Sequence, residues 1–269
     1  MTSRLPALFL GHGSPMTVIS DVPERRAWQM LGQALPRPKA ILTISAHWES
    51  HGQTLLTGQA QPPTIHDFRG FPQELFDIQY PAPGNPALAA RVIALLGADQ
   101  ARTDSDWGFD HGTWGILRPL YPNRDIPVVA MSLDRSLSAQ QHLELGRRLA
   151  PLRDEGVLLV GSGNIIHNLM LWRQLAGRIE PWAGEFRQRI NTALLEGDHA
   201  TLTRLEAGDD AAAKAVNSGE HYLPLLYIAG AQLAGDKVGL FNDSLDGALS
   251  MTSVLIGDIT PLGALAEQD

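Results

Sequence analysis

The sequence predicts an α/β fold: a single domain in which a central mixed, largely parallel sheet is flanked by helices. The main observation is that apolar runs of strand length alternate with helix-like segments, a pattern typical of crossover connections. The 269 residues contain no repeat, low-complexity tract or linker, and 44% of them are hydrophobic. A chain of this length and composition can bury one large core.

Strands are predicted where a short apolar run is bounded by turn-forming residues. Three of these runs lead into a motif that contains a histidine, which makes the ends of those strands the first place to look for a site. The predicted strands cover residues 7–10, 40–44, 127–133, 157–160, 237–241 and 250–256.

Helices are predicted where a capping residue precedes an amphipathic segment. Asp21 and Glu24 stand at capping-box spacing before a short helix that contains Trp28. Asn85 and Ser138 are placed to cap two longer helices. The predicted helices after the first cover residues 86–96, 139–152, 180–195 and 222–233.

Prolines repeatedly interrupt the chain between Gln59 and Gly84, which predicts a long ordered loop. The loop carries the aromatic side chains Phe68, Phe71 and Tyr80. Long ordered loops often form lids or binding walls, so these rings either line a pocket or pack over the edge of the sheet.

The composition restricts the expected ligands. A formal net charge of −8 argues against a nucleic-acid binder, so we expect a small-molecule ligand and no nucleic acid. Because the chain has no cysteine, any metal must be bound by nitrogen and oxygen. No apolar run approaches the ~18 residues of a membrane span, so we expect no membrane contact and a cytoplasmic location.

Five short motifs place a histidine beside small or turn-forming residues. In open α/β sheets the ligand crevice lies outside the carboxyl ends of the strands, so separate strands can deliver such imidazoles to one point. We therefore predict a divalent metal site at the strand carboxyl ends. The motifs are Gly11-His12-Gly13-Ser14-Pro15, Ser45-Ala46-His47-Trp48, Asp110-His111-Gly112, Asn164-Ile165-Ile166-His167-Asn168 and Glu220-His221-Tyr222.

The motifs suggest different tasks for their histidines. His12 and His47 follow strands and are candidate metal ligands, while His167 suits either a fourth ligand or an acid/base group. His221 precedes a helix, and Glu220 beside it either completes a two-histidine, one-carboxylate set or compensates the helix dipole. His111, in a segment without helical period, is predicted to lie in a loop and to contact substrate or move a proton.

Other residues are weaker candidates. Asp110 either orients His111 or makes a turn, and His66 is a weak candidate for a pocket wall. Ser14 and Ser162 lack the motifs of a phosphate loop or an activated nucleophile. The remaining histidines stand in polar surroundings and are predicted to be surface residues: His51, His142 and His199.

Taken together and in order, the histidine motifs resemble those of the class III extradiol ring-cleavage dioxygenases, in particular the 4,5-DOPA extradiol dioxygenase-like branch. The similarity covers nearly the whole chain and includes Pro63-Thr64-Ile65-His66-Asp67-Phe68 and Tyr80-Pro81-Ala82-Pro83-Gly84. It implies a single catalytic domain over residues 1–269. A small aromatic diol and O₂ would be the substrates, and a muconic semialdehyde the product. Nothing in the sequence indicates an oligomeric state.

The resemblance also implies residue roles. His12, His47 and His221 would hold one divalent metal, with His167 as a fourth ligand or the catalytic base and His111 at the substrate. The wider class uses two histidines and a glutamate, so His221 departs from that pattern but agrees with this branch. Fe(II) is expected for dioxygenase activity and Zn(II) is an alternative bound ion, although zinc has no redox change to offer.

Two other functions fit the same residues. An all-histidine site suits a zinc hydrolase that uses a metal-bound water, and oxygen-independent activity with zinc would favour it. A binding protein on the same fold would lack bound metal and would be insensitive to loss of His12 or His47.

Overall fold

A computed structural model describes residues 4–205 and 208–268, and it confirms the predicted fold class. The strands are β1 (Ala7–Gly11), β2 (Ala40–Ser50), β3 (Thr54–Thr57), β4 (Ala101–Asp104), β5 (Val128–Asp134), β6 (Val157–Gly163), β7 (Lys237–Phe241), β8 (Leu245–Asp246), β9 (Leu249–Ser250) and β10 (Ser253–Gly257). Eight of them form one sheet in the order β4-β3-β5-β2-β6-β1-β10-β7, and β8 pairs with β9.

Helices cover both faces of this sheet. They are α1 (Pro23–Ala34), α2 (Gln73–Phe76), α3 (Pro86–Leu96), α4 (His111–Leu120), α5 (Ala139–Leu149), α6 (Leu169–Leu175), α7 (Pro181–Glu196), α8 (His199–Thr203), α9 (Asp210–Ala215) and α10 (Leu223–Gly230), with 3₁₀ segments at Pro15–Val18, Ala150–Arg153 and Thr260–Gln268. In the described residues, no helix is both long and apolar enough to cross a membrane.

The four central strands β5, β2, β6 and β1 run parallel, so their carboxyl ends lie along one edge of the sheet. Each residue of β1 is buried: Ala7 and Phe9 pack into the core under α3, α5, α7 and α10, whereas Leu8 and Leu10 pack into the core under α1 and α4. Burial on both faces explains why the central strands are continuous apolar runs rather than alternating ones.

The predicted strands are confirmed, but β3 and β4 were not predicted. β4 forms one edge of the sheet with the largely polar sequence Ala-Arg-Thr-Asp, and β3, next to it, is only four residues long. An edge strand needs little apolar surface, so the hydrophobic pattern does not reveal it. The last predicted strand is also displaced, because Leu249–Ser250 pairs with β8 and the sheet strand begins only at Ser253.

Helix ends differ from the predictions at three places, one of them the end of α10, which stops at Gly230 rather than at residue 233. The capping box predicted for Asp21 and Glu24 is wrong: α1 begins at Pro23 without a side-chain cap, and Asp21 pairs with Arg26 instead. A capping box does form between Ser138 and Gln141, but α5 ends at Leu149 because the chain continues as a 3₁₀ segment that contains Pro151.

A buried arginine joins the elements at the amino end of β1. The Arg153 guanidinium donates to the carbonyls of Leu5, Ala231 and Ile256, and its Nη1 lies 2.6 Å from Asp236 Oδ2. Its side chain is fully buried, and that of Asp236 is 5% exposed. The charge is therefore paired and hydrogen-bonded on several sides, as a buried charge requires.

The prediction that His142 is a surface residue is wrong. The side chain lies on α5, is fully buried, and places Nδ1 2.9 Å from the Tyr227 hydroxyl of α10. Burial lowers the pKa of His142 to about 4, partly offset by Asp134. The polar sequence around it reflects the outer face of α5, whereas His142 itself is directed at α10.

The buried His142 predicts a pH dependence of folding. Its pKa is lower in the folded chain than in the unfolded one, so the unfolded chain binds more protons between about pH 4 and 6.5 and stability falls as the pH falls through this range. When the pH falls from 6 to 5, the free energy of unfolding of His142→Gln should fall by about 1 kcal/mol less than that of the wild-type protein. Urea denaturation of both metal-free proteins measures this, and equal slopes would contradict it.

Candidate metal centre

The predicted histidines meet at the carboxyl ends of the central strands. His12 directly follows β1, and His47 lies within β2, which runs further than the predicted residues 40–44. The pairing of β2 with β5 shifts register between Ile44 and Glu49. Such an irregularity redirects side chains near the end of a strand, and His47 lies in this shifted part.

Two glycines allow the elements around the site to approach closely. A Cβ on Gly163, the last residue of β6, would overlap the carbonyl oxygen of His221, so only glycine lets the turn before α10 lie against the strand. A Cβ on Gly112 would similarly overlap Ser45 Oγ, which lets the start of α4 pack beside His47. Small residues beside the histidines therefore serve to bring the imidazoles together.

One ring nitrogen from each of His12, His47 and His221 lies within 4.8 Å of the other two. The Nε2 atoms of His12 and His47 are 3.2 Å apart. Two nitrogens bound about 2.0–2.1 Å from one ion are separated by roughly 3 Å, so this spacing suits two ligands of a shared metal.

The outer nitrogen of each ring is occupied by an oxygen. Nδ1 of His12 lies 2.9 Å from Ser162 Oγ, and Nδ1 of His221 lies 3.0 Å from Glu220 Oε1. Nδ1 of His47 lies 3.3 Å from Asp67 Oδ2. A carboxylate only accepts hydrogen bonds, so at His221 the proton sits on Nδ1 and Nε2 presents a lone pair, as metal-binding histidines require; the Asp67 carboxylate near His47 Nδ1 favours the same tautomer there.

The electrostatics of His12, His47 and His221, the histidine trio, also suit a cation. Burial lowers the pKa of His47 to about 3 and holds the pKa values of His12 and His221 well below the usual range, with neighbouring histidines adding to the effect. The imidazoles are therefore neutral near pH 7. This ligand set, three neutral imidazole nitrogens whose rings are hydrogen-bonded from behind by oxygens, fits a divalent first-row metal.

His111 begins α4, so its predicted position in a loop is wrong. Asp110 caps this helix by accepting from the Thr113 amide at 3.0 Å, and it also accepts from Ser45 Oγ. The cap starts the helix despite the Gly-broken sequence. The ring of His111 lies 3.9 Å, centroid to centroid, from that of His47.

Asp67 is the residue that the sequence prediction missed. Its Oδ1 accepts from the His111 amide and its Oδ2 from His111 Nδ1, both at 2.8 Å, and the same Oδ2 faces His47 Nδ1. One carboxylate thus fixes two histidines of the site. The sequence did show an acidic residue in the aromatic loop, at 63–68. Asp110 was the more obvious partner for His111 because it is adjacent to it in sequence.

Replacing Asp67 with asparagine is expected to lower metal affinity about 10–100-fold, the usual cost of losing a hydrogen-bond partner behind a metal ligand. Competition with a chelator measures the affinity. Asp77→Asn is the matched control, because Asp77 stands in the same region and its side chain accepts from Gln73 on the exposed surface. Equal affinities for the two variants would contradict the role of Asp67.

His167 stands beside the trio rather than within it. Its ring stacks on that of His221 with 3.4 Å between centroids and 6° between planes. Ligand atoms of His167, Glu220 and His221 also lie within 4.8 Å of one another, so His167 is close enough to bind a metal beside His221. Burial lowers the pKa of His167 to about 4.

Glu220 hydrogen-bonds His221 and also has a carboxylate oxygen within 4.8 Å of ligand atoms of His167 and His221. Its Oε1 accepts from His221 Nδ1 and from Ser218 Oγ. Ser14 caps the following 3₁₀ segment, and Ser162 contacts His12.

The site histidines line a cavity of about 440 Å³. Phe68 and Phe71 line it, as the sequence allowed, whereas Tyr80 is buried elsewhere with its hydroxyl near the carbonyls of Leu117 and Tyr121. The lining residues are His12, Gly13, Ser14, Pro15, His47, Phe68, Phe71, His111, His167, Leu169, Trp172, Arg173, His221 and Leu249.

The other histidines lie outside this lining. His51 is exposed, as predicted, and His199 is partly buried with Nε2 3.1 Å from Gln232 Oε1. His66 packs behind Phe68 with Nε2 2.9 Å from the Ile78 carbonyl, so it supports the wall without facing the cavity. A larger depression of about 620 Å³, between α1 and residues 119–125, has no histidine among its described lining residues.

Comparison with known proteins identifies the family. Residues 6–248 match the family described as catalytic LigB subunit of aromatic ring-opening dioxygenase. Over 264 residues the chain is 47% identical to a 4,5-DOPA dioxygenase extradiol of Escherichia coli strain K12, covering 95% of this chain and 96% of that protein. A protein of the same name from Beta vulgaris is 37% identical over 247 residues, covering 90% and 92%.

A solved structure agrees with the sequence relatives. The crystal structure of the uncharacterized protein JW3007 from Escherichia coli K12 matches with a TM-score of 0.82 and 41% identity, covering 94% of this chain and all of that one. Dioxygenases of this family need a metal, and the histidine trio could hold it. The chain belongs to the LigB family and is an aromatic ring-opening dioxygenase.

Proposed function

We propose that the protein opens the ring of a catechol-type diol with O₂, on the extradiol side, to give a muconic semialdehyde, and that an L-DOPA-like molecule is its substrate. Residues 1–269 would act as one catalytic domain. The observation that carries the proposal is that the trio of His12, His47 and His221 lines the same cavity as Phe68 and Phe71. The names of the relatives support the substrate class.

His12, His47 and His221 would hold the metal. Ferrous iron bound there would supply positions for the diol and O₂ and the redox change that ring opening needs, which zinc cannot supply. Ser162, Asp67 and Glu220 would keep the three rings in place from behind. The aromatic wall would hold the ring of the substrate and limit the entry of water.

His167 would be the general base. It lines the cavity and stacks on His221 without belonging to the trio of His12, His47 and His221, so its ring would be available to accept a proton from a diol hydroxyl. His111 donates from Nδ1 to Asp67, which leaves Nε2 to bond the second oxygen of the diol. The two histidines flank the trio and would orient the substrate from two sides.

The test is anaerobic loading of the metal-free protein with Fe(II), addition of L-DOPA, and then admission of oxygen. We expect equimolar oxygen consumption and a yellow semialdehyde. His167→Ala should keep its iron and lose about 10²–10⁴-fold in kcat, whereas His199→Ala, outside the cavity, should not. No ring opening across a catechol panel with iron bound would overturn the proposal, as would oxygen-independent hydrolysis with zinc.

A further inference from the structure

The mouth of the cavity carries one permanent positive charge. Arg173 lies in the last turn of α6 and lines the cavity together with Trp172 and Leu169 of the same helix. Its side chain is exposed, and within the described part of the chain no carboxylate forms an ion pair with it. The other described lining residues are apolar, small or histidine.

A negative charge stands beyond this arginine. Trp172 and Arg173 also line a neighbouring depression, which includes Asp246 of β8. Asp246 Oδ2 accepts from Trp172 Nε1 at 2.7 Å, which fixes the carboxylate against the helix. Arg173 and Asp246 thus line one depression that adjoins the cavity.

We propose that Arg173 and Asp246 form a subsite that selects diols carrying an amino-acid side chain, with Arg173 pairing the substrate carboxylate and Asp246 its ammonium group. The inference rests on the proposed function and assigns the specificity of the same cavity. A guanidinium binds a carboxylate through two parallel hydrogen bonds. The local cation also matters because the chain has a net charge of −8, which repels anions.

The two charges can be tested separately with four substrates that share the diol. They are 4-methylcatechol, which has no side-chain charge; 3,4-dihydroxyphenylpropionate, which has the carboxylate; dopamine, which has the ammonium group; and L-DOPA, which has both. The measured quantity is kcat/KM of each charged substrate relative to 4-methylcatechol. Titration calorimetry without oxygen gives the corresponding dissociation constants in the absence of turnover.

Arg173→Gln should lower the relative kcat/KM of the two carboxylate-bearing substrates about tenfold, mainly through KM, and should weaken their anaerobic binding to the same extent. Asp246→Asn should lower the relative kcat/KM of the two ammonium-bearing substrates by about threefold, because the site is exposed. Arg178→Gln is the matched control, since Arg178 is an exposed arginine of the next segment and does not line the cavity.

Unchanged ratios and unchanged dissociation constants in Arg173→Gln would overturn the carboxylate assignment, and the same result in Asp246→Asn would overturn the ammonium assignment. A uniform loss on all four substrates would also overturn them, because it would indicate a structural role. If the iron-loaded wild type opens none of the four rings, the proposed function fails; the calorimetric ratios still decide the subsite.

Discussion

Replacing His12 with alanine is expected to abolish metal binding and to lower ring opening by at least about a thousandfold. The variant keeps only two of the three converging nitrogens, and a bound metal contributes several kcal/mol to the stabilisation of a transition state, where each 1.4 kcal/mol is a factor of ten in rate. The Nε2 of His12 is also the atom 3.2 Å from His47, so its loss opens the centre of the trio.

Metal content by mass spectrometry and oxygen consumption measure this effect together. His199→Ala is the control, because that histidine is hydrogen-bonded to Gln232 outside the cavity and should leave both quantities unchanged. A His12→Ala protein that retains one equivalent of metal would show that His12 is not a ligand. Circular dichroism of both variants separates loss of metal from loss of fold.

The second large effect is on stability. Replacing Arg153 with leucine is expected to lower the free energy of unfolding by about 3–5 kcal/mol, the usual cost of leaving a buried partner charge uncompensated. Asp236 would keep its buried carboxylate without the guanidinium, and the carbonyls of Leu5, Ala231 and Ile256 would lose their donor.

Arg91→Leu is the comparison variant. Arg91 pairs with Glu155 at a similar distance, but the two side chains are 44% and 39% exposed. Water screens an exposed pair, so its loss should cost less than about 1 kcal/mol. Urea denaturation of both metal-free variants measures the difference. Similar losses would contradict the structural role assigned to the buried pair.

Much of the fold could be predicted because the parallel strands are buried on both faces. A strand buried on both faces needs apolar residues at successive positions, as in the run that ends at Leu10, and such a run is visible in the sequence. The histidines that follow these strands could be placed near one another for the same reason, since parallel strands share a carboxyl edge. The four-residue strand β3, with only two apolar residues between threonines, and the polar edge strand β4 lack this pattern and were missed.

The missed site residue and the misplaced histidine depend on contacts that are distant in sequence. Asp67 binds His111, 44 positions away, and His142 meets Tyr227, 85 positions away. Neither distance follows from local periodicity. Asp110, adjacent to His111, instead serves the backbone as a helix cap, which shows how sequence proximity can suggest the wrong partner.

The trio draws its nitrogens from distant parts of the chain: His12 follows the first strand, His47 lies in the second, and His221 stands just before α10. An ion held by all three would bind only the folded chain and would cross-link segments that are far apart in sequence. At a thousandfold excess of free metal over its dissociation constant, such binding adds about 4 kcal/mol to the stability of the folded state. Scarcity of metal would then lower both the activity and the lifetime of the protein, because the metal-free protein unfolds more often and is degraded more readily.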